Sequence, residues 1–375
     1  MARLGDIFII TSGGTPDKKK SEYYANGTIP WVKTGDLKNQ YVPTGIECIT
    51  EEGLNNSSAK LFPPNTVLVA MYGATIGACS ILPYEASTNQ ACAAFLPNEK
   101  VLPTYLYYFL SSKKELFIKD GVGGAQPNIS AGYLKNVQFD LIPMQQQINM
   151  VSTLDKVSEL IALRKEQLAK LDRLVKSRFI ELFGDPVASK KKRKLAEIGK
   201  VFTGNTPPMK EPSYYESNDI PFIKPSDLSE SGVTNIDGVE AFISEKARPA
   251  VRIIPPNAVL VTCIGTIGKI GITARESCCN QQINFIVPND DINSAYLAYC
   301  LTFFKNTLLN MANAPVVPII NKTQFSDLEI PVFDIEQQKQ FAAFVAQTDK
   351  SKLVIQQSLD KLELLKKSLM QEYFG

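Results

Sequence analysis

The chain has 375 residues, 44% hydrophobic and 21% charged, which is enough apolar surface for real cores and enough length for more than one domain. It contains no histidine, which removes Ser-His-Asp and Cys-His nucleophilic catalysis, His-ligated zinc and the usual neutral-pH general base. A formal net charge of +2 is too small to argue by itself for nucleic-acid binding, so the distribution of charge has to carry any such case.

In chain order, Met1-Ala2-Arg3-Leu4-Gly5-Asp6 meets an acid before any apolar run, unlike a secretory signal, and no later run reaches membrane-spanning length. The basic run Lys18, Lys19 and Lys20 follows Gly13-Gly14 and suits either a solvated loop or a phosphate contact. Lys33 follows the apolar segment Ile29-Pro30-Trp31-Val32 and precedes Asp36, a spacing that fits a turn cap or a direct contact with DNA. Residues 66–71 and 79–82 are predicted buried strands, and Gly73 and Gly77 suit tight connections because neither P-loop nor GxGxxG spacing is present. Tyr105, Leu106, Phe109 and Leu110 lie at helical spacing and predict a helix over 103–119.

The character changes at Gln145-Gln146-Gln147. Leu154, Ile161, Leu168, Val175 and Leu182 recur at every seventh residue, with Val157 and Leu171 beside them and charges between, which predicts a coiled-coil helix. Running from 145 to 182 it would extend about 57 Å and needs a partner along its length. The basic run Lys190-Lys191-Lys192-Arg193-Lys194 follows and reads as a solvated linker.

From there the chain repeats itself at a shift of 191 residues. Thr11-Ser12-Gly13-Gly14-Thr15-Pro16 falls on Phe202-Thr203-Gly204-Asn205-Thr206-Pro207, and Ile29-Pro30-Trp31-Val32-Lys33 on Ile220-Pro221-Phe222-Ile223-Lys224. After a one-residue slip Pro63-Pro64-Asn65 meets Pro255-Pro256-Asn257; the first register then returns for Thr75-Ile76-Gly77, Asn89-Gln90 and Phe183-Gly184. The second copy predicts strands over 258–262 and 283–287, a helix over 294–311, and a heptad helix with Ile355, Leu362 and Leu369 on one line and Leu359, Leu365 and Tyr373 beside it. The short 184–194 connection favours antiparallel packing of the two long helices, giving pseudo-two-fold symmetry with a globular domain at each end of a spacer.

Two similar modules at a fixed distance suit the reading of two half-sites on a duplex. The shared pair Asn89-Gln90 and Asn280-Gln281 has adenine-reading chemistry, yet its recurrence in both copies favours a loop buttress. Gln126, Asn128 and Ser130, with Asn321 and Thr323 in the second copy, lie in Gly/Pro-rich loops that differ between copies and are the better candidates for base contacts; Lys224 parallels Lys33.

Taken together, Ile29-Pro30-Trp31-Val32-Lys33, Thr75-Ile76-Gly77, Asn89-Gln90, Glu181-Leu182-Phe183-Gly184 and their second-copy partners resemble the specificity subunits of type I restriction-modification systems. The resemblance spans essentially the whole chain and lies in motif order plus duplication. It implies an α+β fold with a first target-recognition domain at 1–144, a spacer helix at 145–184, a basic linker at 185–194, a second target-recognition domain at 195–335 and a second spacer helix at 336–375. It further implies a split asymmetric site in double-stranded DNA and no catalytic centre, metal or cofactor in this chain. Two modification subunits would carry S-adenosylmethionine and methylate adenine, and restriction/translocase subunits would use ATP and Mg. The seven cysteines form no CxxC pair and their odd number fits a reduced cytoplasmic setting. The rival readings are a protein-binding scaffold, favoured by the near-neutral charge, and a nuclease component of a restriction system.

Overall fold

The computed structural model describes residues 2–122, 128–312 and 317–375. They form two compact units, Met1–Leu163 with Leu359–Gly375, and Arg164–Ser358. The first unit holds a four-stranded antiparallel sheet ordered Ile10–Ser12, Cys92–Phe95, Val67–Ala70, Cys79–Ile81. Val67–Ala70 reads as an unbroken apolar run because both its faces are covered. Val67 and Val69 enter a core with Phe95, Leu106 and Leu110, while Leu68 and Ala70 enter another with Val32, Phe62 and Ala94. A second sheet, ordered Cys48–Ile49, Ile29–Val32, Ala86–Thr88, Leu61–Phe62, contributes to that smaller core.

The second unit repeats the plan. Its larger sheet has five strands, ordered Gly199–Thr203, Ile283–Pro288, Val259–Thr262, Ile270–Thr273, Val233–Ile236, and a three-stranded sheet joins Phe242–Ile243, Ile220–Ile223 and Cys278–Cys279. Val259 and Val261 again face one core, and Ala258 and Leu260 the other. Both copies are thus mixed α and β, as the sequence indicates.

Two expectations need correction. The helix expected over 103–119 is two helices, Pro103–Ser112 and Lys114–Asp120, because Lys113 (ψ 5°) leaves the helical path and lets Phe117 turn into the core; Phe304 (ψ 10°) and Leu308 do the same between Ser294–Phe303 and Lys305–Met311. The basic linker is not purely solvated. Lys192–Lys194 forms a strand antiparallel to Glu329–Pro331, Arg193 pairs with Asp291 and Lys194 with Asp327, each at 2.8 Å.

The long helices are Met144–Phe183 and Ile335–Phe374, 40 residues each. Each is fastened at its start by a buried glutamine. Gln147 accepts the Leu102 N–H (2.9 Å) and donates to the Lys100 and Ile142 carbonyls (both 2.9 Å); Gln338 accepts from Asn293 (2.8 Å) and donates to Asp291 (3.1 Å) and Phe333 (2.8 Å). Each ends in the other copy's globular part. Phe374 packs on Tyr105 and Phe109 at 5.4 and 6.2 Å, in one core with Val151 and Leu154. Phe183 packs on Tyr296 and Phe333 at 4.9 and 5.0 Å, in one core with Phe341 and Val345. In each unit the beginning of one long helix lies with the end of the other, so the two run antiparallel.

Of the expected seam, Leu154, Val157, Val175 and Leu359 are buried and Ile161, Leu168, Ile355, Leu362 and Leu369 are half-buried. Leu365 is instead 46% exposed, because a pair of helices shields only a narrow stripe of each member. Leu160 and Leu174, off the seam, are exposed. In the second unit Asp172 pairs with Lys352 (2.7 Å) and Arg164 donates to Ser358 (3.2 Å) across the helices. Among the described residues no helix is long and apolar enough to cross a membrane.

Candidate nucleic-acid interface

Strand register brings one set of loops to one end of each globular part. In the first, Ser12 stands opposite Ala93, Ala70 opposite Cys92 and Val69 opposite Cys79, and Val32 finishes in parallel beside Thr88. The loops that follow, 13–20, 33–36, 71–78 and 89–91, are laced together. Gly14 donates to Thr88 (2.9 Å), Asn89 to Val32 (3.0 Å), Met71 to Ala91 (2.8 Å) and Ile129 to Met71 (3.0 Å). The second copy repeats the lacing, with Asn205 donating to Cys279 (2.9 Å), Asn280 to Ile223 (3.3 Å), Cys263 to Gln282 (2.7 Å) and Ile320 to Cys263 (2.9 Å). A Cβ at Gly13 would stand 2.0 Å from the Thr88 oxygen, and one at Gly204 2.3 Å from that of Asn280, so the approach of these loops requires glycine in both copies. Gly73, Gly77, Gly265 and Gly268 all have positive φ and make the neighbouring turns.

The structure brings Lys33, Asn128 and Ser130 to this end of the first copy, and Lys224, Asn321 and Thr323 to the same end of the second, whereas Lys18 lies beside Gly27, Glu47 and Cys48, where the chain enters the strand Ile29–Val32. Lys18, Lys19 and Lys20 are exposed; Lys20 donates to the Tyr23 hydroxyl (2.9 Å), a hydrogen bond that raises its pKa above the usual lysine value. Asp36 and Asp227 accept the backbone N–H of Lys33 and Lys224 (2.8 and 2.7 Å), so each acid closes a turn and leaves its lysine side chain to other work. The two lysines then differ. Lys33 pairs with Glu47 at 2.6 Å, which raises its pKa, whereas Ala241 occupies the place of Glu47 in the second copy: Trp31 and Phe222 donate to the carbonyls of Glu47 and Ala241 respectively. Lys224 is accordingly the more exposed cation.

The shared amides buttress their loops. Asn89 and Asn280 accept the N–H of Ala91 and Gln282 (both 3.1 Å), and Gln90 and Gln281 accept the hydroxyls of Thr15 and Thr206. Two of the residues singled out for base contact cap helices: Ser130 accepts from Tyr133 (3.0 Å), and Asn321 and Gln324 form a reciprocal pair (2.9 and 3.0 Å). Thr323 is exposed on the helix that Asn321 starts, and Asn128 is exposed with its backbone paired to Val122. Gln126, and the divergent loop residues 123–126 and 313–316, lie outside the described residues. The seam residues of the long helices are not part of this end.

Sequence reasoning missed a third shared feature here. Lys60 donates to the Thr11 hydroxyl at 2.8 Å, and Arg252 reaches the Thr203 carbonyl and lies 5.4 Å from the Phe202 ring centre. Carrying the one-residue slip a few positions upstream of Pro63 would have aligned Lys60 with Arg252.

The family model for the type I restriction modification DNA specificity domain matches the chain twice, over residues 1–173 and 188–364. The chain belongs to that family. Its members include the MjaIX specificity subunit of Methanocaldococcus jannaschii, 29% identical over 245 residues, or 59% of this chain and 56% of the relative. The EcoR124I/EcoR124II specificity subunit of Escherichia coli is 29% identical over 162 residues, 42% of this chain and 40% of the relative. These two matches thus span about half the length of the curated relatives or less. The MjaVIII specificity subunit of M. jannaschii matches at 22% identity over 99% of this chain and 90% of its own length. The family fold is found in the crystal structure of a type I restriction-modification S subunit from M. genitalium, with a TM-score of 0.59 and 15% identity, covering 100% of this chain and 95% of that one. A chain from a structure describing complex assembly of the type I R-M system also has a TM-score of 0.59, at 18% identity, covering 100% and 96%.

Proposed function

We propose that this chain is the DNA sequence-specificity subunit of a type I restriction-modification complex. Each globular part reads one half of a split, asymmetric site in double-stranded DNA, and the long helices set the unread gap between the halves. The observation that carries this reading is the doubled match to the specificity domain, laid over two copies whose loop frameworks agree and whose loop side chains differ. The chain itself supplies recognition and no chemistry. Two modification subunits dock on it, bring S-adenosylmethionine and methylate adenine; restriction/translocase subunits bring ATP and Mg. The cytoplasm is the setting, which the free and mostly buried cysteines support.

The test is single-molecule methylation sequencing of DNA from cells expressing the chain with and without its neighbouring methyltransferase gene. A split motif methylated only when both are present supports the reading. A soluble complex that leaves no new motif favours the scaffold, for which the net charge of +2 is the best argument.

A further inference from the structure

We propose that Lys60 in the first globular part, and Arg252 with Lys322 in the second, are anchors for the sugar-phosphate backbone of DNA, set at the edge strand of each loop end. The inference rests on the specificity reading above.

The positions are equivalent. Thr11 stands opposite Ala94 in the edge strand Ile10–Ser12, and Phe202 stands opposite Phe285 in the edge strand Gly199–Thr203. Lys60 is held on the first by the Thr11 hydroxyl, and Arg252 on the second by the Thr203 carbonyl and the Phe202 ring. The backbone of Arg252 donates to Asn205 (2.8 Å), and Asn205 donates to the Ala250 carbonyl (2.7 Å), which fixes the base of the cation to the loop that follows Thr203. Lys322 lies 5.8 Å from the same Phe202 ring centre; it follows the capping residue Asn321, where Ala131 follows Ser130 in the first copy.

The charges are ordered without being neutralised. Lys60, Arg252 and Lys322 are all exposed, and among the described residues none is ion-paired to a carboxylate. Arg248, four positions before Arg252, shows the contrast: Glu245 and Glu276 both hold it. A hydroxyl, a carbonyl and an aromatic ring position a cation while leaving its charge for an incoming anion.

Recurrence identifies the anion. The two copies carry different side chains in the loops nearby, yet both place a cation on the same strand position. Whatever bases the two half-sites contain, the feature they share is the phosphate backbone, so a contact kept by both copies is directed there. The second copy, with Lys322 added, makes one contact more.

The experiment is the salt dependence of DNA binding by the full chain co-purified with its methyltransferase subunits. It uses one duplex carrying the methylated motif and one random-sequence duplex of equal length. Lys60→Gln should lower the log–log salt slope by about 1 and Arg252→Gln with Lys322→Gln by about 2, on both duplexes alike. The methylated motif should not change, and Arg252→Lys should keep the wild-type slope. Wild-type slopes in the glutamine variants, with or without a drop in melting temperature, would overturn the proposal, as would a changed motif, which would mark base readers. If the wild-type complex itself shows no salt-dependent binding to either duplex, it is the specificity reading that falls.

Discussion

At the scale of single residues, burial decides what the cysteines can do. Desolvation pushes the thiols of Cys79, Cys92, Cys263, Cys278 and Cys300 from the ordinary 9.0 up to about 12, and only Cys48 is partly exposed. At pH 8 a maleimide should label Cys48 in the folded protein and all seven cysteines after denaturation; rapid labelling of a second thiol in the native chain would contradict the packing. The same shifts set an alkaline limit. Folded thiols hold protons that the unfolded chain releases above pH 9.0, so stability is intact below that value and falls as the pH climbs toward about 12. A melting series across that range reads it directly. The paired acids Asp36 and Asp227 were legible from spacing because a turn acid acts on its own neighbours. Lys60 and Arg252 were not, because what makes them a pair is a strand edge far away in sequence.

At the scale of elements, the two glutamines at the starts of the long helices each tie three backbone groups to one buried amide. Gln147→Leu removes partners from the Leu102 N–H and from the Lys100 and Ile142 carbonyls. The expected loss is about 3 kcal/mol or more by chemical denaturation, since three polar groups are stranded and each costs about 1–3 kcal/mol. Gln338→Leu should cost a similar amount in the second unit; a loss under about 0.5 kcal/mol, no larger than an ordinary surface substitution, would show that water replaces the amide. Heptad spacing found the long helices because a 3.5-residue repeat persists over many turns. It overstated their seam at Leu365 because periodicity reports which face is apolar and not how much of it a single partner covers. The break at Lys113 was invisible for a related reason: the apolar residues on either side keep helical spacing, and only the burial of Phe117 requires the chain to turn.

At the scale of the whole molecule, the duplication was legible because both copies use the same glycines, strand runs and helix ends; what differs lies in loops, where composition fixes little. If the long helices measure the gap between half-sites, one heptad added to each lengthens it by about 10 Å, or roughly 3 base pairs, with both half-site sequences kept. Methylation sequencing of the insertion variant checks this, and altered half-sites would remove the helices from that role. The second unit is a continuous stretch, Arg164–Ser358, whereas the first needs Leu359–Gly375, and Lys113 bonds the Phe374 carbonyl across 261 residues. During synthesis the earliest residues to leave the ribosome must wait with an open core, and the middle of the chain can close before its beginning. A released chain truncated after Ser358 should therefore protect the second unit from protease while the first is still cut.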